Sequence, residues 1–322
     1  MKTLETKLEK LKSILSVYGQ MIVALSGGVD SVFLLTFAYK LWGDDRVAAM
    51  TATGPHFADD ESDYAKGLCD KLGISHKTIK ADHVLPLIED NPTDRCYICK
   101  KELFSILQER AQMVGSVLAD GTNLDDMDDY RPGYRAILEL GIASPLKEAG
   151  LTKAEIRQAL KDLADSDSAI REALRFPGTG IANDAEGFMA ADDADGPDAA
   201  DSFKSTGGSP ADAMTIWEKP AFACLASRIP YGEKITVEKL NAIYKAELFL
   251  REKGFAQVRI RHHGDVARIE VLPEDRSRFF DAAFMDEINE GIQNCGFKFA
   301  ALDLGGYKMG SLNETVGPEG SE

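Results

Sequence analysis

Residues 24–31, ALSGGVDS, place two glycines and two serines directly after the apolar run MIVAL, and this turn decides the fold of the first half of the chain. A strand that ends in such a turn and leads into a helix presents backbone N–H groups and the positive end of the helix dipole to an anion. Gly27 and Gly28 allow the anion to approach the backbone, and Ser26 and Ser31 add hydroxyl donors. The tract therefore predicts a phosphate site.

Asp30, in the same turn, adds a carboxylate that can hold a magnesium ion beside phosphate oxygens. The GxxxxGK[ST] signature of kinase-type phosphate loops is absent, since the dipeptide Gly-Lys occurs nowhere in the chain. A second polar loop, residues 119–126 (ADGTNLDD), also follows an apolar strand. Alone it would be interpreted as an Asx-rich turn. Because the carboxyl ends of parallel strands share one sheet edge, we expect Gly121, Thr122 and Asn123 to border the same nucleotide site.

Short β-type runs alternate with helical patterns throughout the first half of the chain. The β-type runs are MIVAL, RVAAMTA, SHKTIKA and GSVLADG, and the helical patterns cover residues 31–41, 60–72 and 95–113. This alternation predicts an α/β fold with a helix-covered parallel sheet over residues 1–161. Over residues 216–322, a helix, a hairpin-like strand pair around residues 263–265, a second helix and a last strand predict a smaller α+β domain.

Residues 162–215 differ in composition from both predicted domains. They hold twelve Asp or Glu against three Lys or Arg, with repeated Ala, Gly and Ser, as in AADDADGPDAADSFKSTGGSP. This composition predicts a solvated, acidic low-complexity insertion. Because closing a longer surface loop costs only about 0.6 kcal/mol per doubling of its length, the insertion is compatible with the folding of both domains.

Composition also excludes several classes of function. The formal charge of -16 and a pI near 4.8 argue against nucleic acid as the main partner, because a phosphate backbone is bound by clustered Lys and Arg. No stretch approaches the roughly 20 apolar residues that a membrane helix needs. The opening MKTLETKLEKLKSIL is amphipathic, with Leu4, Leu8, Leu11 and Leu15 on one stripe, and lacks the apolar block of a signal peptide. We therefore expect a cytoplasmic protein without a membrane partner.

The five cysteines fall into two groups. Cys96 and Cys99 form a CxxC pair at the predicted start of a helix, and Cys224 lies in the segment KPAFACLASRIPYG. Cys69 and Cys295 lie in or at the end of amphipathic runs, where cysteine is usually a small core residue. A CxxC pair alone fits a redox dithiol, half of a zinc site or iron–sulfur ligation. Three thiolates suit a [4Fe–4S] cluster with one open iron, and a structural zinc with a histidine as fourth ligand is the alternative.

Three arginines are candidate ligands of a substrate phosphate. Arg259 and Arg261 alternate along the predicted strand VRIRHH, so both guanidinium groups point to one face, and paired arginines suit a phosphate. Arg228, in CLASR, lies four residues after Cys224. It either steadies an anionic group near that cysteine or forms a surface ion pair.

Six tracts of the sequence together resemble the LarE family, the sulfur transferases that build the nickel-pincer nucleotide cofactor of lactate racemase. They are ALSGGVDS, ADGTNLDD, GLTKAEIR, WEKPAFACLASRIPYG, QVRIRHHGDVARIEV and ALDLGGYKMGSLN. The resemblance covers nearly the whole chain except residues 162–215, and it implies a PP-loop domain of the adenine nucleotide alpha hydrolase type that uses ATP and Mg²⁺. It also implies that ATP, split into AMP and pyrophosphate, adenylates a carboxylate of pyridinium-3,5-biscarboxylic acid mononucleotide. Sulfur then replaces the adenylate to give a thiocarboxylate.

The resemblance implies one of two sulfur sources. In one subtype, the cysteine matching Cys224 gives up its own sulfur and becomes dehydroalanine. In the other, the cysteines matching Cys96, Cys99 and Cys224 hold a [4Fe–4S] cluster whose open iron binds an extra sulfide. The CxxC pair favours the cluster, with Cys224 and Asp30 as the catalytic residues. Glu270 is a metal or substrate contact by resemblance only.

We also expect a nucleotide small-molecule substrate, a sulfur donor, other proteins of the cofactor pathway and a homo-oligomer. Similar PP-loop folds thiolate transfer RNA or amidate carboxylates with ammonia. The amidation hypothesis leaves three cysteines without a role. The transfer RNA hypothesis explains the cysteines but conflicts with the acidic charge of the chain.

Overall fold

A four-stranded parallel sheet forms the centre of the N-terminal domain in the computed structural model, which describes residues 3–127, 132–176, 215–219 and 223–308. Its strands are β1 (Met21–Ala24), β2 (Val47–Thr53), β3 (Ser75–Lys80) and β4 (Val117–Ala119), in the order β3-β2-β1-β4. The chain builds outward from β1 to β3 and then crosses back to place β4 on the other side of β1. The loops after β1 and β4 therefore meet at the point where the strand order reverses, which is where open α/β sheets bind ligands.

Nine helices cover this sheet or pack beside it in the described part of the N-terminal domain. They are α1 (Leu4–Ser16), α2 (Val29–Trp42), α3 (Asp59–Leu72), α4 (Leu85–Ile88), α5 (Arg95–Met113), α6 (Pro132–Glu139), α7 (Pro145–Ala149), α8 (Lys153–Ser166) and α9 (Ser168–Ala173). The α/β prediction is confirmed, because each crossover between parallel strands contains a helix. None of the described helices is long and apolar enough to cross a membrane.

The start of the predicted insertion is helical and packed. Helix α8 continues to Ser166, and Asp167 then caps α9 by accepting from the N–H groups of Ala169 and Ile170. Ile170 and Leu174 are fully buried in the N-terminal core, and Ala173 is buried with them. The expectation of a solvated stretch is therefore wrong for residues 162–176, because its acidic residues occupy caps and exposed positions while its apolar residues face the core.

The remainder of that prediction, residues 177–214, lies outside the described residues. Arg175 and Thr215, which flank it, are paired by an antiparallel bridge. Ile216 is fully buried in the same core as the helices of the N-terminal domain. Residues 215–219 thus pack on the N-terminal domain, although the sequence places residue 216 at the start of the second domain.

The C-terminal domain is a small α+β unit with its own apolar core. Its elements are α10 (Val237–Glu252), β5 (Val258–His263), β6 (Val266–Val271), α11 (Ala282–Asn294) and β7 (Phe299–Leu302). Strands β5 and β6 form the predicted antiparallel hairpin, which turns at Gly264 with a φ of 59°, and β7 pairs in parallel with β6. The core also contains Ile88 from α4, so the two domains share an apolar contact.

Candidate functional site

The turn after β1 is held together by its own serines. Ser31 Oγ donates to Gly28 O over 3.1 Å, and it accepts from the N–H of Ser26 over 3.2 Å. Gly27 has a φ of 75°, and a Cβ there would lie 2.5 Å from the carbonyl oxygen of Glu61. Both facts require glycine at this position. The turn therefore has a fixed shape at the N-terminus of α2, as an anion site needs.

The loop after β4 packs directly on this turn. A Cβ on Gly121 would lie only 2.7 Å from the backbone N of Ser31, so the two backbones approach as closely as glycine allows. Thr122 and Asn123 are buried beside it, and Thr122 Oγ1 donates to Asp120. The structure thus brings together the two loops that the sequence assigned to one nucleotide site.

Replacing Gly121 with alanine should separate the two loops. We expect a loss of stability of about 1–3 kcal/mol from overpacking. We also expect at least about a tenfold loss of ATP affinity, because the backbone of the first turn, which is predicted to bind phosphate, must shift. Isothermal titration calorimetry with Mg-ATP and thermal unfolding measure the two effects. Gly67→Ala is the matched control, since its Cβ would have nothing within 4 Å. Unchanged ATP affinity in Gly121→Ala would show that the contact of the two loops does not shape the nucleotide site.

Asp30 lies in the first turn of α2, and one of its carboxylate oxygens is paired. Its Oδ2 is 3.1 Å from Nζ of Lys153, while its buried Oδ1 makes no hydrogen bond to any described residue. Burial raises the pKa of Asp30, against the opposing charge of Lys153, and nearby Asp126 raises it further. A buried carboxylate oxygen without a partner, beside a second carboxylate, fits a magnesium ligand.

Lys153 was not among the residues predicted for this site. It belongs to the tract GLTKAEIR and is the first residue of α8, whose N-terminus is capped by a capping box of Thr152 and Glu155. The start of α8 lies against the turn after β1, so that the Lys153 ammonium group meets the Asp30 carboxylate at the turn predicted to bind phosphate. A lysine at a helix start gives no sequence signal of this contact, which spans 123 residues.

The three candidate sulfur residues share one neighbourhood. Cys96 and Cys99 lie in the first turns of α5 at a spacing of i, i+3, which puts both on one helix face. Cys224 immediately precedes the 3-10 turn Leu225–Arg228. Burial raises the pKa of Cys99 to about 12, and the charges of Cys224 and Cys96 contribute in the same direction. Burial and then Cys224 also raise the pKa of Cys96.

All three thiols are free. Three thiols in one partly buried neighbourhood are the donor type that soft metals and iron–sulfur clusters use. Within the described ranges, no group of three or more His, Cys, Asp or Glu side chains has the spacing of a formed metal site.

A buried histidine lies against this group of thiols. Nε2 of His56 is 3.6 Å from Sγ of Cys99, and its carbonyl oxygen accepts from the N–H of Leu225 over 3.0 Å. Burial lowers the pKa of His56 to about 4, so the ring is neutral at physiological pH. The loop after β2 therefore joins the CxxC helix to the Cys224 turn. Sequence reasoning missed His56, because an isolated histidine in the run TATGPHF carries no spacing signal.

Arg228 anchors the Cys224 turn. Its side chain is 0% exposed and forms a bidentate ion pair with Glu247 of α10, at 2.8 and 3.0 Å. Its Nη1 donates to the carbonyl oxygens of Ala223 and Cys224 over 2.7 and 3.1 Å. In this structure the Arg228 guanidinium contacts buried protein groups, and its role as a phosphate ligand stays a prediction. The alternative of a surface ion pair is wrong, since the pair is buried.

The two arginines of β5 lie beside this anchored turn. Arg261 donates to Glu270 over 3.0 and 2.9 Å and to the carbonyl oxygen of Ser227 over 2.8 Å. Burial, together with the charge of Arg228, lowers the pKa of Arg259 to about 10. Both side chains are largely buried on one strand face, as the alternation predicted. The structure therefore places them near the Cys224 turn, while their role as phosphate ligands stays a prediction.

Proteins similar to this chain are found by sequence and by structure. A family model described as NAD synthase matches residues 3–114. An uncharacterized protein of Synechocystis sp. is 35% identical over 97% of this chain and 99% of its own length. The pyridinium-3,5-bisthiocarboxylic acid mononucleotide synthase of Lactiplantibacillus plantarum is 32% identical over 98% of this chain and 97% of its own length. A solved structure of the glutamine-dependent NAD+ synthetase of Acinetobacter baumannii with ADP has a TM-score of 0.42 and 14% identity, and the match covers 54% of this chain and 37% of that one.

Proposed function

The chain belongs to the family of the pyridinium-3,5-bisthiocarboxylic acid mononucleotide synthase, the LarE family, and from this membership we propose that it catalyses ATP-dependent sulfur transfer to a carboxylate of pyridinium-3,5-biscarboxylic acid mononucleotide. The observation that carries the proposal is that one chain holds both a phosphate-type turn and a group of three thiols, here called the two half-sites. Residues 215–219 and the Cys224 turn also follow each other closely in sequence.

The proposed chemistry requires both half-sites. A carboxylate is a poor electrophile until one of its oxygens becomes a leaving group. In the first step a substrate carboxylate oxygen bonds to the α-phosphorus of ATP, and pyrophosphate leaves. In the second step sulfur bonds to the carboxyl carbon, and AMP leaves with the former carboxylate oxygen. Backbone N–H groups of the turn at Gly27 and Gly28 would bind phosphate oxygens, with Lys153 adding positive charge and Asp30 holding Mg²⁺.

We propose that the sulfur is delivered at Cys96, Cys99 and Cys224, which would hold a [4Fe–4S] cluster. Such a cluster supplies an iron without a protein ligand, at which an external sulfide can bind. The spacing of the CxxC pair and the contribution of Cys224 to the raised pKa values of Cys96 and Cys99 support this proposal. Arg228 keeps the backbone of Cys224 in place, and His56 contacts the Cys99 sulfur. Sacrificial donation of the Cys224 sulfur is the alternative.

Iron and acid-labile sulfide, measured per chain after strictly anaerobic purification, distinguish the two sulfur sources. We expect about 4 iron and 4 sulfide in the unmodified protein and a loss of nearly all of both in Cys99→Ala. Cys295→Ala is the control, because that cysteine lies at the end of α11 and outside the CxxC and Cys224 neighbourhood. If the unmodified protein binds no iron even after reconstitution, Cys224 becomes the sacrificial sulfur donor and the CxxC pair needs another explanation.

The remaining functional assignments follow from the same membership. Arg259 and Arg261 would bind the substrate phosphate, with Glu270 orienting Arg261. A sulfur donor, proteins that use the product and a homo-oligomeric assembly complete the proposal. Transfer RNA thiolation is the competing sulfur chemistry, and tight binding of transfer RNA at moderate salt would favour it over the proposed substrate.

A further inference from the structure

Residues 215–219, here called the strap, are fixed to the N-terminal domain. Ile216 is fully buried, and Trp217 packs against the same core. Arg157 of α8 donates to the carbonyl oxygen of Trp217 and, over 2.7 Å, to that of Lys219. These contacts give a role to the arginine of the tract GLTKAEIR, which the proposed chemistry leaves unused. The strap therefore has a defined position next to α8.

The last residue of the strap reaches the phosphate-type turn. The Lys219 side chain is 5% exposed, and its Nζ lies 2.9 Å from Oε1 of Glu61. The same Nζ donates to the carbonyl oxygen of Gly27 over 3.3 Å and lies 4.3 Å from the ring centre of Phe176. An ammonium group is thus held directly behind the backbone of the turn, on the side where the turn contacts α3.

The other end of the same short stretch carries the sulfur residue. Cys224 follows Lys219 by five residues, a stretch that spans at most about 18 Å when fully extended. Its carbonyl oxygen is held by Arg228, which is in turn paired with Glu247 of the C-terminal domain. Lys219 therefore contacts the turn of one half-site, while Cys224 is anchored in the other.

The Gly27 carbonyl, which Lys219 contacts, must move when the N–H of Gly28 moves. The C=O of Gly27 and the N–H of Gly28 belong to one planar peptide unit, so they rotate together. In this structure the N–H of Gly28 donates to Oγ of Ser26 over a long 3.3 Å. A phosphate that draws this N–H toward itself must also turn the Gly27 carbonyl. That carbonyl is the group to which the Lys219 ammonium donates.

We infer that Lys219 is a positioning residue that couples phosphate binding at the turn to the position of the strap. The inference rests on the proposed use of ATP. It assigns to Lys219 no contact with substrate or sulfur. Its effect is on the strap, so that residues 215–219 are held in one position with ATP bound and in another without it. Coupling of this kind is typically worth a factor of about 5–150 in an equilibrium constant.

Trp217 provides a reporter of the strap that does not depend on activity. The chain has two tryptophans, so a Trp42→Phe parent leaves Trp217 as the only one. Mg-ATP binding is measured by calorimetry, and Trp217 emission is followed in the same titration. We expect ATP to change the emission of the parent with the affinity found by calorimetry. In the parent carrying Lys219→Met, ATP should still bind, with an affinity reduced by no more than about tenfold, but the emission change should be lost.

Three further variants make this test specific. Lys219→Arg keeps the cation and should restore the emission change. Glu61→Gln removes one of the charged partners of Lys219 and should reduce the change without abolishing it. Lys253→Met removes a paired cation in the C-terminal domain, whose partner is Glu287, away from the turn, and should behave as the parent does. In turnover, Lys219→Met should lower kcat more than it raises KM for ATP.

The possible results separate the inference from the proposed function. A full emission change in Lys219→Met with ATP bound would overturn the coupling and leave the proposed function intact. ATP binding to the parent without any emission change would do the same. A parent that binds no Mg-ATP by calorimetry would overturn the proposed function, and the inference with it.

Discussion

Replacing Cys224 with serine is expected to reduce thiocarboxylate formation by about 10³-fold or more, while adenylation of the substrate continues. The reason is common to both proposed sulfur sources, since the Cys224 sulfur would be either the donated atom or one of three ligands of the group that supplies it. Serine preserves the size of the side chain, and the turn is held through backbone contacts with Arg228, so the fold should be retained. Thiocarboxylate is measured by mass spectrometry, and adenylation by exchange of labelled pyrophosphate into ATP.

Cys295→Ser provides the matched control for this experiment. Cys295 caps the end of α11 and is partly buried, as Cys224 is, but it lies outside the thiol group. We expect both activities to remain near those of the unmodified protein. Retained sulfur transfer in Cys224→Ser would exclude this cysteine from the reaction. A loss of pyrophosphate exchange along with sulfur transfer would instead indicate that Cys224 affects the adenylation half-site.

Replacing Arg228 with methionine is expected to destabilise the protein by about 3–5 kcal/mol, the usual cost of leaving a buried charge without its partner. The carboxylate of Glu247 would remain in a fully buried position, with the backbone N–H of Ile260 as its other hydrogen-bond donor at 3.0 Å. The anchors of Ala223 and Cys224 would be lost in the same variant. Urea unfolding followed by circular dichroism measures the change in the free energy of unfolding.

The double variant Arg228→Met/Glu247→Leu tests the cause of this loss. Removing both charges should recover most of the lost stability, because an apolar pair of similar volume often replaces a buried ion pair at little cost. We expect sulfur transfer to be low in Arg228→Met and in the double variant alike, since the Cys224 backbone lacks its anchor in both. Lys253→Met, which breaks the exposed pair with Glu287, should cost no more than about 1 kcal/mol. A double variant as unstable as Arg228→Met would show that the unpaired charge is not the cause.

The parts of the molecule predicted well from sequence are those specified by local signals. A strand, a glycine-rich turn and a helix in sequence suffice to locate the turn at Gly27, and the alternation of strands and helices gives the parallel sheet. The pairing of β5 with β6 follows from the hairpin pattern around Gly264. Contact between the loops after β1 and β4 also follows, because parallel strands place their carboxyl ends at one edge.

The residues that sequence reasoning missed or misjudged depend on long-range contacts. Lys153 meets Asp30 across 123 residues, and Lys219 meets Gly27 across 192. The ion pair of Arg228 with Glu247 has no sequence signal, because Glu247 lies within an amphipathic helix where a glutamate is ordinarily exposed. The extent of the insertion was misjudged because charge composition concealed the apolar face of α9, on which Ile170 is buried.

The bridge between Arg175 and Thr215 should allow the segment between these residues to be replaced. Arg175 and Thr215 are paired neighbours, so the number of residues between them does not alter the geometry of either domain. A folded reporter domain whose two termini lie close together can therefore replace residues 177–214 without stretching its flanks. Such a graft would sit next to the strap, where an encoded fluorophore could record the arrival of nucleotide in living cells.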